Sequence, residues 1–208
     1  MKNPTHISKS KNGFSLIELL VVIVIIASLA AISYGPIMNT IKDSRIQAGN
    51  KLANDLIFAV EQFEQKYDYL PYVETNDGVV IYEDDTLLDL ITILMGEEGS
   101  SDINPNNLEF FNYQEAENGV DGIAYEPSSR GMPPGLRDPF GQNITLIIDY
   151  TGDNKIDLAN TPFSGHTDNN GKPLVIRRVA VAGSEGPNEK FYEGTTDKDD
   201  PNDDVTSF

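Results

Sequence analysis

The most prominent pattern in the chain is an apolar run close to its N-terminus. Residues 14–32 read FSLIELLVVIVIIASLAAI, and their only polar members are Ser15, Glu18 and Ser28. As an α-helix rising about 1.5 Å per residue, this run approaches the ~30 Å of a bilayer's hydrocarbon core. The pattern therefore predicts a helix that can span a membrane.

A secretory signal peptide is the alternative for this run, because such a peptide also has a basic front and an apolar middle. Two features weigh against it. The run is longer than the roughly 7–15 residues of a signal core, and Glu18 lies inside it near its start. The chain beyond the run also keeps a helical character, where a cleavage site would break it.

Helical periodicity continues well past the apolar run. Beyond residue 36, apolar residues recur at the three-and-four spacing of one helical face, at Met38, Ile41, Ala48, Leu52, Leu56, Ala59, Val60, Phe63 and Tyr67. One helix over residues 14–67 would be about 80 Å long. Because no single globule covers that length, we expect about half of the helix to project from it.

The charges on either side of the run predict its orientation. Lys2, Lys9 and Lys11 precede it without any acid, and the acidic bulk of the chain follows it. The positive-inside rule then places the N-terminus in the cytoplasm and everything after Tyr34 outside. The expected protein is a single-pass membrane anchor with an exported head.

Composition excludes several classes of function. The 208 residues carry a formal charge of −18, so a phosphate backbone would be repelled, and nucleic acid is not an expected partner. The chain has no cysteine, which excludes disulfides, thiolate metal sites and a cysteine nucleophile. Phosphate-binding loops and nucleophile elbows are missing from the sequence, so we expect the protein not to be an enzyme.

The head is predicted to be α+β. Residues 87–95 read LLDLITILM and predict a short helix that packs on the long one and ends at Gly96. Strands are predicted near residues 108–113 and at residues 144–148 and 174–182, the last two from their β-branched or alternating patterns. We expect a small antiparallel sheet against the second half of the long helix.

Residues 11–22, KNGFSLIELLVV, resemble the processing site of type IV pilin-like proteins. The resemblance implies cleavage between Gly13 and Phe14 by a prepilin peptidase, N-methylation of Phe14, and assembly into a helical filament through the long helix. It also implies that Glu18 neutralises the Phe14 amine of a neighbouring subunit. The alternative for Glu18 is local, since its own Phe14 amine and the helix dipole favour a carboxylate in the first turn.

Shorter segments of the head resemble the major pseudopilin of type II secretion systems. They are residues 67–71 (YDYLP), residues 137–150 (RDPFGQNITLIIDY) and the acidic C-terminal tail. The resemblance implies a pseudopilus subunit whose partners are further copies of the chain, minor pseudopilins and an inner-membrane assembly platform. A type IV pilin, a minor pseudopilin and a membrane-tethered module that binds calcium or another ligand are the alternatives.

The expected organisation has four parts. Residues 1–13 form the leader peptide, residues 14–34 the transmembrane half of the helix, and residues 35–70 its exported half. Residues 71–208 form the α+β head with an acidic C-terminal loop.

The C-terminal loop is the candidate metal site. By resemblance, its calcium ligands are Glu185, Asn202, Asp203 and Asp204. The alternative is a disordered acidic tail, as blocks of like charge usually are. Against disorder stand Val205 and Phe208, two apolar residues that would pack only if the loop before them folded back, which calcium could enforce.

Two further segments are expected to carry no site. Residues 149–157 place oxygens at alternate positions, as calcium loops do, but lack the glycine and the closing glutamate such a loop needs, so turn chemistry is expected there. His166 lies among loop-forming residues, and we expect it to be a solvated loop histidine.

Overall fold

A computed structural model describes residues 15–73, 78–97, 100, 102–129, 131–168, 170–191 and 204–208. The chain divides into two compact units, Met1–Ile41 and Lys42–Phe208. A long helix, α1, comprises Leu16–Tyr67, which confirms the single helical element expected from the apolar pattern. It ends where Asp68 adopts a left-handed conformation (φ 61°) and donates its amide to the Glu64 carbonyl at 2.8 Å.

The head is built around a four-stranded antiparallel sheet. Its strands are β1 (Val79–Tyr82), β4 (Thr145–Asp149), β7 (Ala180–Ser184) and β8 (Val205–Thr206), and they are hydrogen-bonded in the order β1-β4-β7-β8. Two short ribbons accompany it, β2 (Gly122–Ala124) with β3 (Gly135–Arg137), and β5 (Ile156–Asp157) with β6 (Val175–Ile176). The predicted α+β class and the strand expected at residues 144–148 are confirmed.

A second helix, α2 (Asp84–Met95), precedes the β2–β3 ribbon and confirms the helix expected from LLDLITILM. Gly96 closes it in a left-handed conformation (φ 70°) and donates its amide to the Ile93 carbonyl. A Cβ at Gly96 would lie 2.6 Å from the Asn107 carbonyl oxygen, so glycine is needed both for this φ and for space.

Two strand predictions need correction. Residues 174–182 form two strands rather than one, because β6 pairs with β5 while β7 pairs with β4 in a different sheet. Residues 108–113 form no strand, because the amides of Phe110 and Phe111 donate to the Leu94 carbonyl at the end of α2. The Phe110 ring packs on Phe63 with ring centroids 5.2 Å apart, so its apolar character serves the core.

The main core lies between α1, α2 and one face of the sheet. On α1, burial begins at Gly49 and follows one face, whereas Met38 and Ile41 are exposed. The core comprises Leu52, Leu56, Val60 and Phe63 of α1, Leu87, Leu90, Ile91 and Leu94 of α2, and Leu146, Ile148, Ala180 and Ala182 of the sheet. The other face of the sheet carries Ile147 and Val181, which pack with Ile156, Leu158 and Phe163.

The last five residues of the chain dock against this core. Val205 is fully buried against Gly49, where an added Cβ would lie 2.6 Å from a Val205 methyl carbon. The Thr206 amide donates to Asn50 Oδ1 at 2.9 Å, and the Ser207 amide donates to the Ala182 carbonyl at 3.0 Å. The expectation that Val205 and Phe208 pack is confirmed, since Phe208 contacts the Phe163 ring.

The two phenylalanines of α1 give a matched test of this core. Phe63 is fully buried, whereas Phe58 is 60% exposed on the same helix. Phe63→Ala should lower the free energy of unfolding by about 3–5 kcal/mol, because it removes ring contacts and leaves a cavity. Phe58→Ala should change it by less than about 0.5 kcal/mol.

The measurement is urea unfolding of the full chain in detergent, followed by circular dichroism. Equal destabilisation by the two substitutions would contradict the assignment of the buried face of α1.

Candidate functional site

The first turn of α1 brings Glu18 to the start of the helix. The Ser15 amide donates to Glu18 Oε2 at 2.8 Å, so the carboxylate satisfies one of the free amides at the helix N-terminus. This hydrogen bond gives Glu18 the local role that the sequence left open as the alternative to pairing with a neighbouring subunit. The two roles are compatible, because a carboxylate has two oxygens and accepts several hydrogen bonds. Gly13 and Phe14 lie outside the described residues.

The surface that follows Glu18 is apolar and exposed. Twelve large aliphatic side chains between Leu16 and Ile32 are exposed, from 44% for Val22 to 81% for Leu16. By length and composition, α1 is able to cross a membrane. An exposed apolar surface of this extent requires a bilayer or other apolar segments to cover it. The N-terminal helix is thus consistent with single-pass anchoring in the inner membrane.

At the other end of the chain, acidic side chains converge around Glu185, which directly follows β7. Burial raises the pKa of Glu185, and the nearby carboxylates of Asp204, Glu189 and Asp138 raise this pKa further. Asp204 therefore lies near enough to Glu185 for its charge to act on this carboxyl. Asn202 and Asp203 lie outside the described residues.

Asp138 connects the Asp-Pro-Phe-Gly segment to the sheet. Its Oδ1 accepts hydrogen bonds from the amides of Phe140 and Gln142, each at 2.8 Å, and its Oδ2 accepts the Ser184 hydroxyl at 2.5 Å. Burial raises the pKa of Asp138, and these hydrogen bonds oppose the rise. The carboxylate organises the turn that leads into β4 and ties that turn to the end of β7.

His166 is not the solvated loop histidine that the sequence predicted. It is buried, its Nε2 lies 3.1 Å from Asp204 Oδ2, and its ring contacts Phe208 edge to face. The physical reason is the docking of the C-terminal strand, which brings Asp204 and Phe208 to a histidine about forty residues earlier. One of the proposed metal ligands, Asp204, is therefore already engaged by a protein side chain.

Among the residues that the structure describes, Arg137 is the largest fully buried side chain, and the sequence analysis did not single it out. Its Nη2 donates to the carbonyls of Met132 and Pro133, the latter at 2.5 Å. Burial lowers the pKa of Arg137, and Asp84 and Asp138 oppose that effect. The guanidinium is thus a buried positive charge at the end of β3, directly before Asp138.

The segment 149–157 carries the turn between β4 and β5, as expected. Asp149 Oδ1 accepts from the Thr151 amide and hydroxyl, and Asp149 Oδ2 accepts from the Lys155 amide at 3.2 Å. Over the part of the chain that the structure describes, no group of three or more histidine, aspartate or glutamate side chains is arranged to hold a metal ion. A calcium site at Glu185 and Asp204 would therefore need further oxygens.

Comparison with known proteins identifies the N-terminal segment. Residues 8–34 match the family model of the prokaryotic N-terminal methylation motif. No curated protein and no solved structure matches the chain. The motif points to type IV pilin-like and pseudopilin proteins, and it implies processing by a prepilin peptidase and assembly into filaments.

Proposed function

We propose that the protein is the structural subunit of a type II secretion pseudopilus, polymerised from the inner membrane to support protein export. The observation that carries the proposal is the methylation motif at residues 8–34, at the start of a 52-residue helix whose first part is apolar and exposed. The shorter resemblances in the head favour the major pseudopilin over a type IV pilin. The head lies in the periplasm and the N-terminus in the cytoplasm.

In this proposal, Glu18 sets the axial position of each subunit. A carboxylate within an apolar span is costly, about 2.5–3.5 kcal/mol for Asp at the centre of a helix and less near the interface. Cleavage after Gly13 would free the Phe14 amine, and the amine of a neighbouring subunit can compensate Glu18. The Ser15 amide donates to Glu18 Oε2, and a carboxylate has a second oxygen that can accept from another partner.

The head acts through its surfaces rather than through catalysis. His166 is engaged by Asp204 and packed against Phe208. Asp149 and Asp138 accept hydrogen bonds from their own turns. These contacts favour structural roles for the polar groups that an enzyme would need.

We also propose that the acidic cluster binds calcium, with Glu185 and Asp204 as ligands and with Asn202 and Asp203 completing the set. The support is electrostatic. Because the pKa of Glu185 is raised in the folded protein, its protonated form stabilises the fold at low pH, and this stability is lost as pH rises through the folded pKa. At neutral pH the carboxylates repel each other, and a divalent cation would remove that repulsion.

The first prediction concerns processing. The mature protein should begin at Phe14 with a methylated amine, because only a cut after Gly13 both keeps the apolar span attached to the head and frees an amine beside Glu18. Intact-mass spectrometry of the protein purified from membranes measures this directly. A chain that begins at Met1 or near Ala31 would exclude pilin-like processing.

The second prediction separates the two roles of Glu18. Glu18→Ala should leave the melting temperature of the head unchanged and greatly reduce filament formation, seen by electron microscopy. Glu18→Gln keeps an acceptor for the Ser15 amide and removes the charge, so it should also fail to assemble. Asp43→Ala, an exposed carboxylate on the same helix, serves as the control. Normal filaments from Glu18→Gln would show that the local hydrogen bond suffices.

The third prediction concerns calcium. Millimolar calcium should raise the melting temperature of the mature protein in detergent, relative to chelator, because a metal bound only by the folded form stabilises it. Glu185→Gln should raise the melting temperature in chelator at pH 7, since it removes a repelling charge, and should abolish the response to calcium.

Glu185 is the informative position, because Asp204→Ala would also remove the partner of His166. Equal melting temperatures in calcium and in chelator would contradict the calcium proposal and leave the filament proposal intact.

A further inference from the structure

A cavity of about 230 Å³ lies at the end of the four-stranded sheet where β1 and β7 finish and β4 begins. The antiparallel register places these three strand ends side by side, with Tyr82 opposite Leu146 and Thr145 opposite Gly183. Among the described residues that line the cavity, three are acidic and none is basic. Its oxygen-bearing side chains are those of Glu83, Asp84, Gln142, Asn143, Thr145 and Glu185.

Two of these side chains, Gln142 and Thr145, are buried without a hydrogen-bond partner. They are 7% and 5% exposed, and both lie on the cavity wall. Within the described residues, neither the Gln142 side-chain amide nor the Thr145 hydroxyl makes a hydrogen bond; Gln142 is held through its backbone, whose amide donates to Asp138 Oδ1 at 2.8 Å. Buried polar groups are nearly always paired, so these two indicate that the cavity holds a polar ligand.

The charges at the cavity indicate that this ligand is a cation. In the part of the chain that the structure describes, the Glu185 carboxylate accepts no hydrogen bond, and the carboxylates of Asp204, Glu189 and Asp138 lie near enough to act on it. Asp84 adds a second carboxylate to the wall, where its Oδ1 accepts from Asn143 Nδ2 at 2.5 Å. A cation between Asp84 and Glu185 would reduce the repulsion among these acids.

The buried guanidinium of Arg137 does not fill this role. Arg137 does not line the cavity, and its Nη2 donates to the carbonyls of Met132 and Pro133 on the wall. The cavity therefore keeps its negative charge in spite of this neighbour.

The mixture of oxygens suits calcium. Calcium takes 6–8 oxygens from carboxylates, amides and waters with flexible geometry, whereas magnesium requires a near-ideal octahedron. Asp84 and Glu185 offer carboxylates, and Gln142 and Thr145 offer neutral oxygens. Neutral oxygens are what a site with few acidic ligands needs, since no group of three acidic or histidine side chains is arranged for a metal within the described residues.

We propose that Asp84, Gln142 and Thr145 bind the same calcium ion as Glu185. This inference rests on the proposed calcium binding, and it names ligands from the sheet in addition to those from the C-terminal tail. The ion then joins the start of α2, the start of β4 and the end of β7. The metal would thus tie together the three strand ends that form the cavity.

Isothermal titration of the mature protein in detergent with calcium tests the two neutral ligands. Gln142→Met and Thr145→Val keep the approximate size of each side chain and remove its oxygen. Each should raise the Kd for calcium about tenfold, because the ion loses a ligand. The melting temperature in chelator should stay unchanged, since the removed groups have no partner in the protein. A purely structural role would instead lower that melting temperature.

Asp84→Asn tests the second carboxylate. Asp84 has a left-handed backbone (φ 51°), which asparagine tolerates, and the variant keeps an acceptor for Asn143. It should also raise the Kd for calcium about tenfold, because the site loses a charge. Gln65→Met is the matched control for Gln142→Met, as Gln65 is exposed on α1 outside the cavity, and it should leave the Kd unchanged.

The outcomes separate this inference from the proposals on which it rests. If Gln142→Met/Thr145→Val bound calcium like the unmodified protein while Glu185→Gln did not, the cavity ligands would be wrong and the calcium proposal would stand. Lower melting temperatures in chelator for the two single variants would also overturn the assignment, in favour of structural roles. No calcium binding by the unmodified protein would contradict both, whereas filament formation is tested independently by electron microscopy.

Discussion

The constraint on which the whole molecule depends is the exposed apolar surface at the start of α1. Twelve large aliphatic side chains lie between Leu16 and Ile32, all of them exposed. Removing the exposed parts of these side chains from water would gain on the order of 10–20 kcal/mol, which is comparable to or greater than the net stability of a typical domain. The first unit therefore requires a bilayer or other apolar helices to cover it. The position of Glu18 becomes important for the same reason, since a charge placed there requires a partner.

The head must hold many negative charges on a compact fold. At the C-terminus, β8 buries Val205 against Gly49 and places the Asp204 carboxylate beside His166. Arg137 is also buried near Asp138. What remains is the repulsion around Glu185, which a cation or protonation would relieve. The acidic surface also restricts how copies approach each other, so the few exposed basic residues gain importance.

The sequence predicts best where one local pattern decides the structure. The apolar periodicity located α1, Gly96 located the end of α2, and the β-branched residues 144–148 located β4. Prediction from the sequence fails where contacts between distant residues decide the local structure. The split of residues 174–182 depends on which strands lie nearby, and the Phe110 segment follows the end of α2 instead of joining a sheet. The environment of His166 depends on Asp204, about forty residues later, and no spacing rule connects the two. The sequence offered only a weak signal for this contact, namely a histidine that can form hydrogen bonds and a C-terminus that was expected to fold back.

The central claim, that α1 assembles a pilin-like filament through Glu18, is tested most directly by a helical reconstruction of the filament by electron cryomicroscopy. The account predicts a core of packed α1 helices in which the Glu18 carboxylate lies within about 4 Å of the Phe14 amine of a neighbouring subunit. A reconstruction in which Glu18 contacts only its own helix, or in which α1 lies outside the filament core, would contradict it.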